Sequence, residues 1–285
     1  MKKTLALLLA FALLSSAAAL FTGCSDKGTL IVQTNAYFAP FEYYEGSDIV
    51  GVDVEVMQKV ADKLGKKLEF VNVEFAAIID NVSAGKICDA GAAGITVTDA
   101  RKEKVDFSDA YFTSVQYVIY PTGALTPTGK TPEGDDYVLW DDLKGKKIGV
   151  QADTTGDFYV SDEIAASADD PDYGFDGALL GSGAEVARFD SAQLACDAIG
   201  ANSIDVAVVD KLPAQYIVSK NPQYACAALY YAGGEGEEDA PTAEDYAICV
   251  AKGNKELLDA INAVLSELGE EGINKLVMKY MGFGE

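Results

Sequence analysis

From Thr29 the chain alternates between two spacings of apolar residues. TLIVQTN (29–35) is rich in β-branched residues and ends in polar ones, which predicts a strand running out into a loop. VDVEVMQKVADKLG (52–65) places Val52, Val56, Val60 and Leu64 four apart, on one face of a helix, with Gly65 as its cap. KKLEFVNVEF (66–75) returns to alternation, AAIIDNVSAG (76–85) predicts a short helix, and CDAGAAGIT (88–96) a buried strand. SVQYVIY (114–120) is an apolar strand, followed by a loop rich in Pro, Gly and Thr over 121–136. A second cycle starts with LKGKKIGVQADTTG (143–156), weakens into an acidic region over 157–183, and resumes as helix, strand, Asp210 and helix over 191–218. GGEGEEDAPTAED (233–245) reads as a surface loop, YAICVAKG (246–253) as a strand, and the remainder as an amphipathic helix.

Strands alternating with helices at this spacing imply βαβ units and parallel sheets. The pattern predicts an α/β chain of two lobes, each a mostly parallel sheet flanked by helices. Residues 29–115 and 246–285 form the first lobe and 116–245 the second. Two hinge crossings are expected, near 113–118 and 243–247. In such sheets ligands bind beyond the C-terminal ends of strands, so Thr34–Phe41 and Gly94–Arg101 are the loops of interest.

The segment before this pattern is of another kind. Lys2 and Lys3 precede the uncharged apolar run Leu5–Leu20, and small residues follow, so 1–23 is expected to be a secretory signal. Gly23-Cys24 resembles a bacterial lipoprotein box, with Phe21 where an aliphatic residue is usual. Cys24 would then carry the lipid and 24–28 would be a short tether. An extracytoplasmic protein anchored to the cell membrane is the corresponding expectation.

Charge and composition narrow the function. Against 45 acidic residues the chain has only 22 basic ones, with no cluster to displace counterions, which argues against nucleic acid. It has no His, so His-based triads, metal sites and pH switches are excluded. Cys88, Cys196, Cys226 and Cys249 lie in apolar stretches, where free buried thiols are favoured over disulfides.

The order FAPFEY (38–43), IVGVDVEVMQKVADKLG (49–65), AGITVTDARKEKVDFSDAYF (93–112), LKGKKIGV (143–150) and IDVAVVD (204–210) resembles the bacterial extracellular solute-binding proteins of family 3. The resemblance implies a two-lobed type II periplasmic-binding fold, no cofactor or metal, no enzymatic activity, and an amino acid captured between the lobes for an ABC permease. A monomer is expected.

An α-amino acid offers a carboxylate, an ammonium and a side chain. A guanidinium holds a carboxylate with two parallel hydrogen bonds. Arg101, at the head of a helix, matches the family's carboxylate-binding Arg, and Thr96 could add a hydroxyl. The alternative is a surface Arg paired with Asp99 or Asp106; Lys102 and Lys104 read as solvated. Asp210 matches the family's ammonium-binding Asp, against a plain helix cap. Gly94 would add its carbonyl. Phe38 and Phe75 match the rings that sandwich the ligand side chain, whereas Phe41 reads as core. Thr154 and Thr155 match a loop that closes over the carboxylate, although such a run also caps helices. Asp153 stands where the family usually has Gly. Family members that bind basic amino acids commonly have Asp at the place of Asn35, which slightly favours a neutral polar ligand such as glutamine or cystine. Asp153, Glu74 or Asp157 could reverse that choice. Rival readings are an extracytoplasmic sensor and a dehydratase-type enzyme on the same fold, for which Glu74 is the tempting acid.

Overall fold

The computed structural model of the protein describes residues 28–234 and 236–282. The signal segment, Cys24 and the tether up to residue 27 lie outside the described residues. Among those described, no helix is long and apolar enough to cross a membrane.

Two sheets organise the chain. The first runs in the order Lys67–Asn72, Thr29–Thr34, Ala90–Gly91, Cys249–Ala251, Val105–Phe107. Its first three strands are parallel, and Cys249–Ala251 enters antiparallel to both neighbours. The second begins Glu185–Phe189, Lys147–Gln151, Val206–Asp210, again parallel, and continues through Phe112–Pro121 and Tyr224–Tyr231 to Asp136–Leu139 and Gly129–Lys130. Phe112–Pro121 is antiparallel to the strands on either side. Both exceptions are strands that arrive from the other sheet, so no helical crossover forces them parallel.

Packing follows the periodicities. Leu30 and Val32 point into the first core, where Val52, Val56 and Val60 meet Leu257, Ile261 and Val264 of the last helix, Lys255–Tyr280. The end of the chain therefore completes the core begun by its first strand. In the second sheet Tyr117 and Ile119 face one core while Val118 and Tyr120 face another, the two-residue alternation of a sheet covered on both sides.

Several elements differ from the sequence expectation. The stretch 233–245, expected as a surface loop, ends in the strand Ala243–Tyr246, whose pairing with Phe112–Pro121 buries Thr242 and Glu244. The region from 157 is not uniformly weak: Thr155–Ala165 is a helix, headed by Thr154, whose hydroxyl accepts from the Asp157 amide. Its buried residues include Gly156, Asp157 and Glu163, so the apolar stripe that would have announced it is missing. Of CDAGAAGIT only Ala90–Gly91 is a strand; the chain then turns through Gly94 at φ 53° and bridges Thr96 to Tyr246. The last helix is interrupted at Gly269, whose φ is 58°. Among the described residues the four cysteines, Cys88, Cys196, Cys226 and Cys249, are free.

The loop that carries Phe38 and Phe41 is pinned from below by the helix Val52–Leu64. The Val52 and Asp53 amides donate to the carbonyls of Pro40 (3.1 Å) and Phe41 (3.0 Å). That approach requires Gly51: its φ is 139°, and a Cβ there would lie 2.0 Å from the Phe41 carbonyl oxygen. Backbone cannot rotate away as a side chain can. Gly51→Ala is expected to cost about 3 kcal/mol or more and to lower the melting temperature by about 6–12 °C, as read by thermal denaturation.

Candidate functional site

The two sheets are joined by a pair of strands. Phe112–Pro121 leaves the first lobe, and Ala243–Tyr246 returns antiparallel to its first half, with Ala243 opposite Val115 and Tyr246 opposite Phe112. In front of this pair the lobes face each other across a cleft lined by Asn35, Phe38, Glu42, Phe75, Gly94 and Thr96 from one side and Gln151, Thr154, Thr155 and Asp210 from the other. The lobes meet closely enough to leave only about 20 Å³ of free space.

Arg101 sits at the edge of this cleft. Thr98 caps the short helix Asp99–Lys104 by accepting from the Arg101 amide, which turns the side chain inward to 8% exposure. Nη1 donates to the Thr96 carbonyl at 2.8 Å and Nη2 to the Asp153 carbonyl of the other lobe at 3.0 Å. The guanidinium lies 5.4 Å from the Phe75 ring and 5.8 Å from that of Phe158. It has no carboxylate partner among the described residues. Asp99 pairs instead with Lys102 and Asp106 with Lys252, both as exposed contacts. Lys104 reaches Asp80 at the surface. Asp153 adopts the left-handed φ of 61° that its place in the loop demands, and its amide bonds Asp157, so the carbonyl is free for Arg101.

Asp210 ends the strand Val206–Asp210 and stands at the N-cap of the helix Lys211–Lys220, but its side chain makes no capping bond. It accepts instead from Tyr246 Oη (2.6 Å) and from Gln116 Nε2 (3.1 Å). Gln116 Nε2 also contacts Glu244 Oε1. Burial and the adjacent Glu244 carboxylate push the Asp210 carboxyl well above the usual range. Thr96 donates its hydroxyl proton to Glu244 Oε2 at 2.7 Å. In this arrangement the Thr96 hydroxyl is left with acceptor capacity for a further partner.

The other expected residues divide by what they already bond. The Gly94 amide donates to Asp53 Oδ2 at 3.0 Å, fixing the turn and leaving its carbonyl unclaimed, and a Cβ on Gly94 would strike the Phe38 ring at 2.7 Å. Asp53 is held also by Tyr111 Oη at 2.6 Å, and burial pushes its carboxyl up to about 6. Phe38 stacks on the fully buried Phe41 with centroids 5.9 Å apart, and Phe75 begins the helix Phe75–Ala84. Thr154 gives its hydroxyl to the helix cap and to the Gln151 carbonyl. Thr155 keeps a buried hydroxyl with no partner. Asn35 is engaged at both ends, donating to the Val73 carbonyl at 2.8 Å and accepting from Gln151 across the cleft at 3.0 Å.

Glu42, Gln116, Gln151, Glu244 and Tyr246 were not picked out from sequence. Glu42 is the most consequential. It lines the cleft and is 0% exposed; among the described residues no donor group reaches either carboxylate oxygen, and only the Asp53 carboxyl stands close enough to share a proton with it. Burial first, then the charges of Asp53 and Asp210, push its carboxyl well above the usual range. The only signal was its place in FAPFEY, two residues beyond the proline that orders the aromatic loop. Two buried carboxyl groups, Glu42 and Asp210, thus line the cleft, and two more, Asp53 and Glu244, are buried behind its residues Gly94 and Thr96. Among the described residues, no group of His, Cys, Asp or Glu is arranged to hold a metal.

A sequence profile of the bacterial extracellular solute-binding proteins, family 3, matches residues 30–283. The arginine-binding extracellular protein ArtP of Bacillus subtilis is 28% identical over 98% of this chain and 98% of its own. A probable histidine-binding protein of Neisseria gonorrhoeae is 30% identical over 87% of this chain and 81% of its own. Among solved structures, an ancestral arginine-binding protein bound to arginine superposes with a TM-score of 0.69 at 32% identity, covering 90% of this chain and 99% of that one.

Proposed function

The chain belongs to the bacterial extracellular solute-binding proteins, family 3, and from that premise we propose that it is the amino-acid-capturing component of an ABC importer, tethered to the membrane through Cys24. The observation that carries this reading is a buried guanidinium, Arg101, that has no carboxylate partner among the described residues and is bonded to the cleft residue Thr96, set across from a buried carboxyl, Asp210, that lines the cleft from the other lobe. Arg101 takes the ligand carboxylate, assisted by the Thr155 hydroxyl. Asp210, the Gly94 carbonyl and the Thr96 oxygen take the ammonium. Residues 29–115 with 246–285 move as one lobe and 116–245 as the other. Because the contacts come from both, the ligand binds the closed state better than the open one and so drives closure, the arrangement a permease then recognises.

The ligand we propose is a basic amino acid. The neutral choice rested on Asn35, whose side chain is already committed to Val73 and Gln151, and the named relatives give it no support. Glu42 supports the cationic choice. An unpaired carboxyl inside the cleft is costly, and a guanidinium, ammonium or imidazolium group is the partner that relieves the cost. Phe38 and Phe75 offer ring faces to the same cation.

Thermal shift against the twenty amino acids tests the reading. A ligand present at about 100 times its Kd adds about 2.7 kcal/mol of stability, and arginine, lysine or histidine is expected to produce the largest rise in melting temperature. No rise with any amino acid would sink the assignment.

A further inference from the structure

Glu244 lies on the return strand of the hinge and is 6% exposed. Its neighbourhood is set by strand register. Ser114 stands opposite Glu244, and Gln116, two residues further along the same strand, stands opposite Asp210. Residues two apart on a strand face the same side, so the two carboxyl groups meet across Gln116, whose Nε2 donates to both. This meeting is built into the strand pair and does not depend on the lobes being together. On the cleft side Glu244 receives the Thr96 hydroxyl. On the far side it borders a groove of about 430 Å³, walled also by Thr98, Lys102, Tyr159 and Asp162.

We propose that Glu244 is the positioning residue of the ammonium site: it and Asp210 hold one proton between them, and an arriving α-ammonium group displaces that proton to solvent through the groove. The inference rests on the amino-acid reading above. With a second carboxyl set against it in a buried site, Asp210 resists ionising, and burial followed by that neighbour holds its carboxyl well above the usual range. The charged and titratable groups facing the pair are Arg101 from its short helix, Glu42 from the aromatic loop, Tyr159 from the helix Thr155–Ala165, and Tyr246 from the return strand itself. Arg101 is the buried cation among them, while Lys102 in the groove wall is exposed and paired with Asp99; in the complex the charge of Arg101 is met by the ligand carboxylate. The ammonium supplies the new positive charge that lets both acids ionise. The proton balance at the pair is simple: the free protein carries one more there than the complex, so affinity rises as pH rises, until the pair has ionised in the free protein as well.

Isothermal calorimetry of the intact protein, with each of the twenty L-amino acids in buffers of different ionisation enthalpy, measures the protons released. A neutral amino acid that binds is expected to release about one proton, and a basic one more than that because Glu42 ionises as well, with affinity rising as pH rises by up to about tenfold per unit for each proton released. Glu244→Gln keeps an acceptor for Thr96 but cannot share the proton. It is expected to bind within about tenfold of the parent while proton release falls measurably below the parent's and the pH slope becomes shallower. Binding without proton release in the parent protein overturns the inference and leaves the function standing. So does release that persists undiminished in Glu244→Gln. Absence of binding by every amino acid overturns the function and this inference with it. If Glu244→Gln does not fold, the proton count and pH slope of the parent protein still decide.

Discussion

Replacing Arg101 with alanine is expected to weaken amino-acid binding by a few hundred- to several thousand-fold, about 3–5 kcal/mol. The size follows from what the truncation leaves behind. The site presents one guanidinium among the buried carboxyls Glu42, Asp53, Asp210 and Glu244. A ligand carboxylate brought there without Arg101 would find no cation to pair with and would bear a desolvation cost with nothing to offset it. Arg101 is also within hydrogen-bond reach of Asp153 in the opposite lobe, so its loss removes a cross-cleft bond from the closed state. Arg101→Lys separates charge from geometry: it keeps the positive charge but loses the planar fork and the ring contact with Phe75. Its affinity should fall between the two, nearer to alanine. Calorimetry with the amino acid that binds the parent protein most tightly supplies the numbers. An alanine variant that binds within threefold of the parent would remove Arg101 from the site.

Why was Arg101 legible in the sequence when Glu42 was not? Arg101 follows an apolar run and a Thr-Asp turn, and a strand's C-terminal end is where α/β sheets present their ligand groups. Asp210 ends VAVV and is legible for the same reason. Local pattern reaches that far. Glu42 and Glu244 are two acidic residues in a chain with 45, and only long-range packing sets them apart. Phe41 and Gly51 must pack together before Glu42 is enclosed, and the hinge strands must pair before Glu244 meets Asp210. Thr154 and Thr155 show the same limit at the scale of one residue. Either could cap the helix, and the backbone conformation at 154 assigns that task to one hydroxyl and leaves the other free. The helix Thr155–Ala165 was hidden because its inward face carries Asp157 and Glu163, each satisfied by partners distant in sequence or by loop amides.

Glu42→Gln should separate ligand binding from stability, moving them in opposite directions. In the parent protein the Glu42 carboxyl is pushed well above the usual range by burial and by Asp53 and Asp210. The sign for folding follows directly. A carboxyl that is harder to ionise in the folded chain favours folding least when it must be charged, so its penalty is absent below the ordinary glutamate range. It grows as pH rises through that range toward the raised folded value. Glutamine has the same shape and no proton to lose. Ligand-free Glu42→Gln is therefore expected to melt higher than the parent at neutral pH, with the difference vanishing near pH 4. Binding goes the other way for a basic amino acid, whose side-chain cation loses its buried counter-charge. Part of that interaction already goes into ionising Glu42, so the loss is about 2–4 kcal/mol, roughly thirty- to a thousand-fold. A neutral amino acid has no such partner to lose and should change by less than about threefold. Melting curves of the ligand-free proteins across pH and paired titrations with arginine and glutamine test both halves. Equal loss for the two ligands would mean that Glu42 shapes the cleft without reading ligand charge. An unchanged affinity for arginine would remove it from the side-chain site altogether.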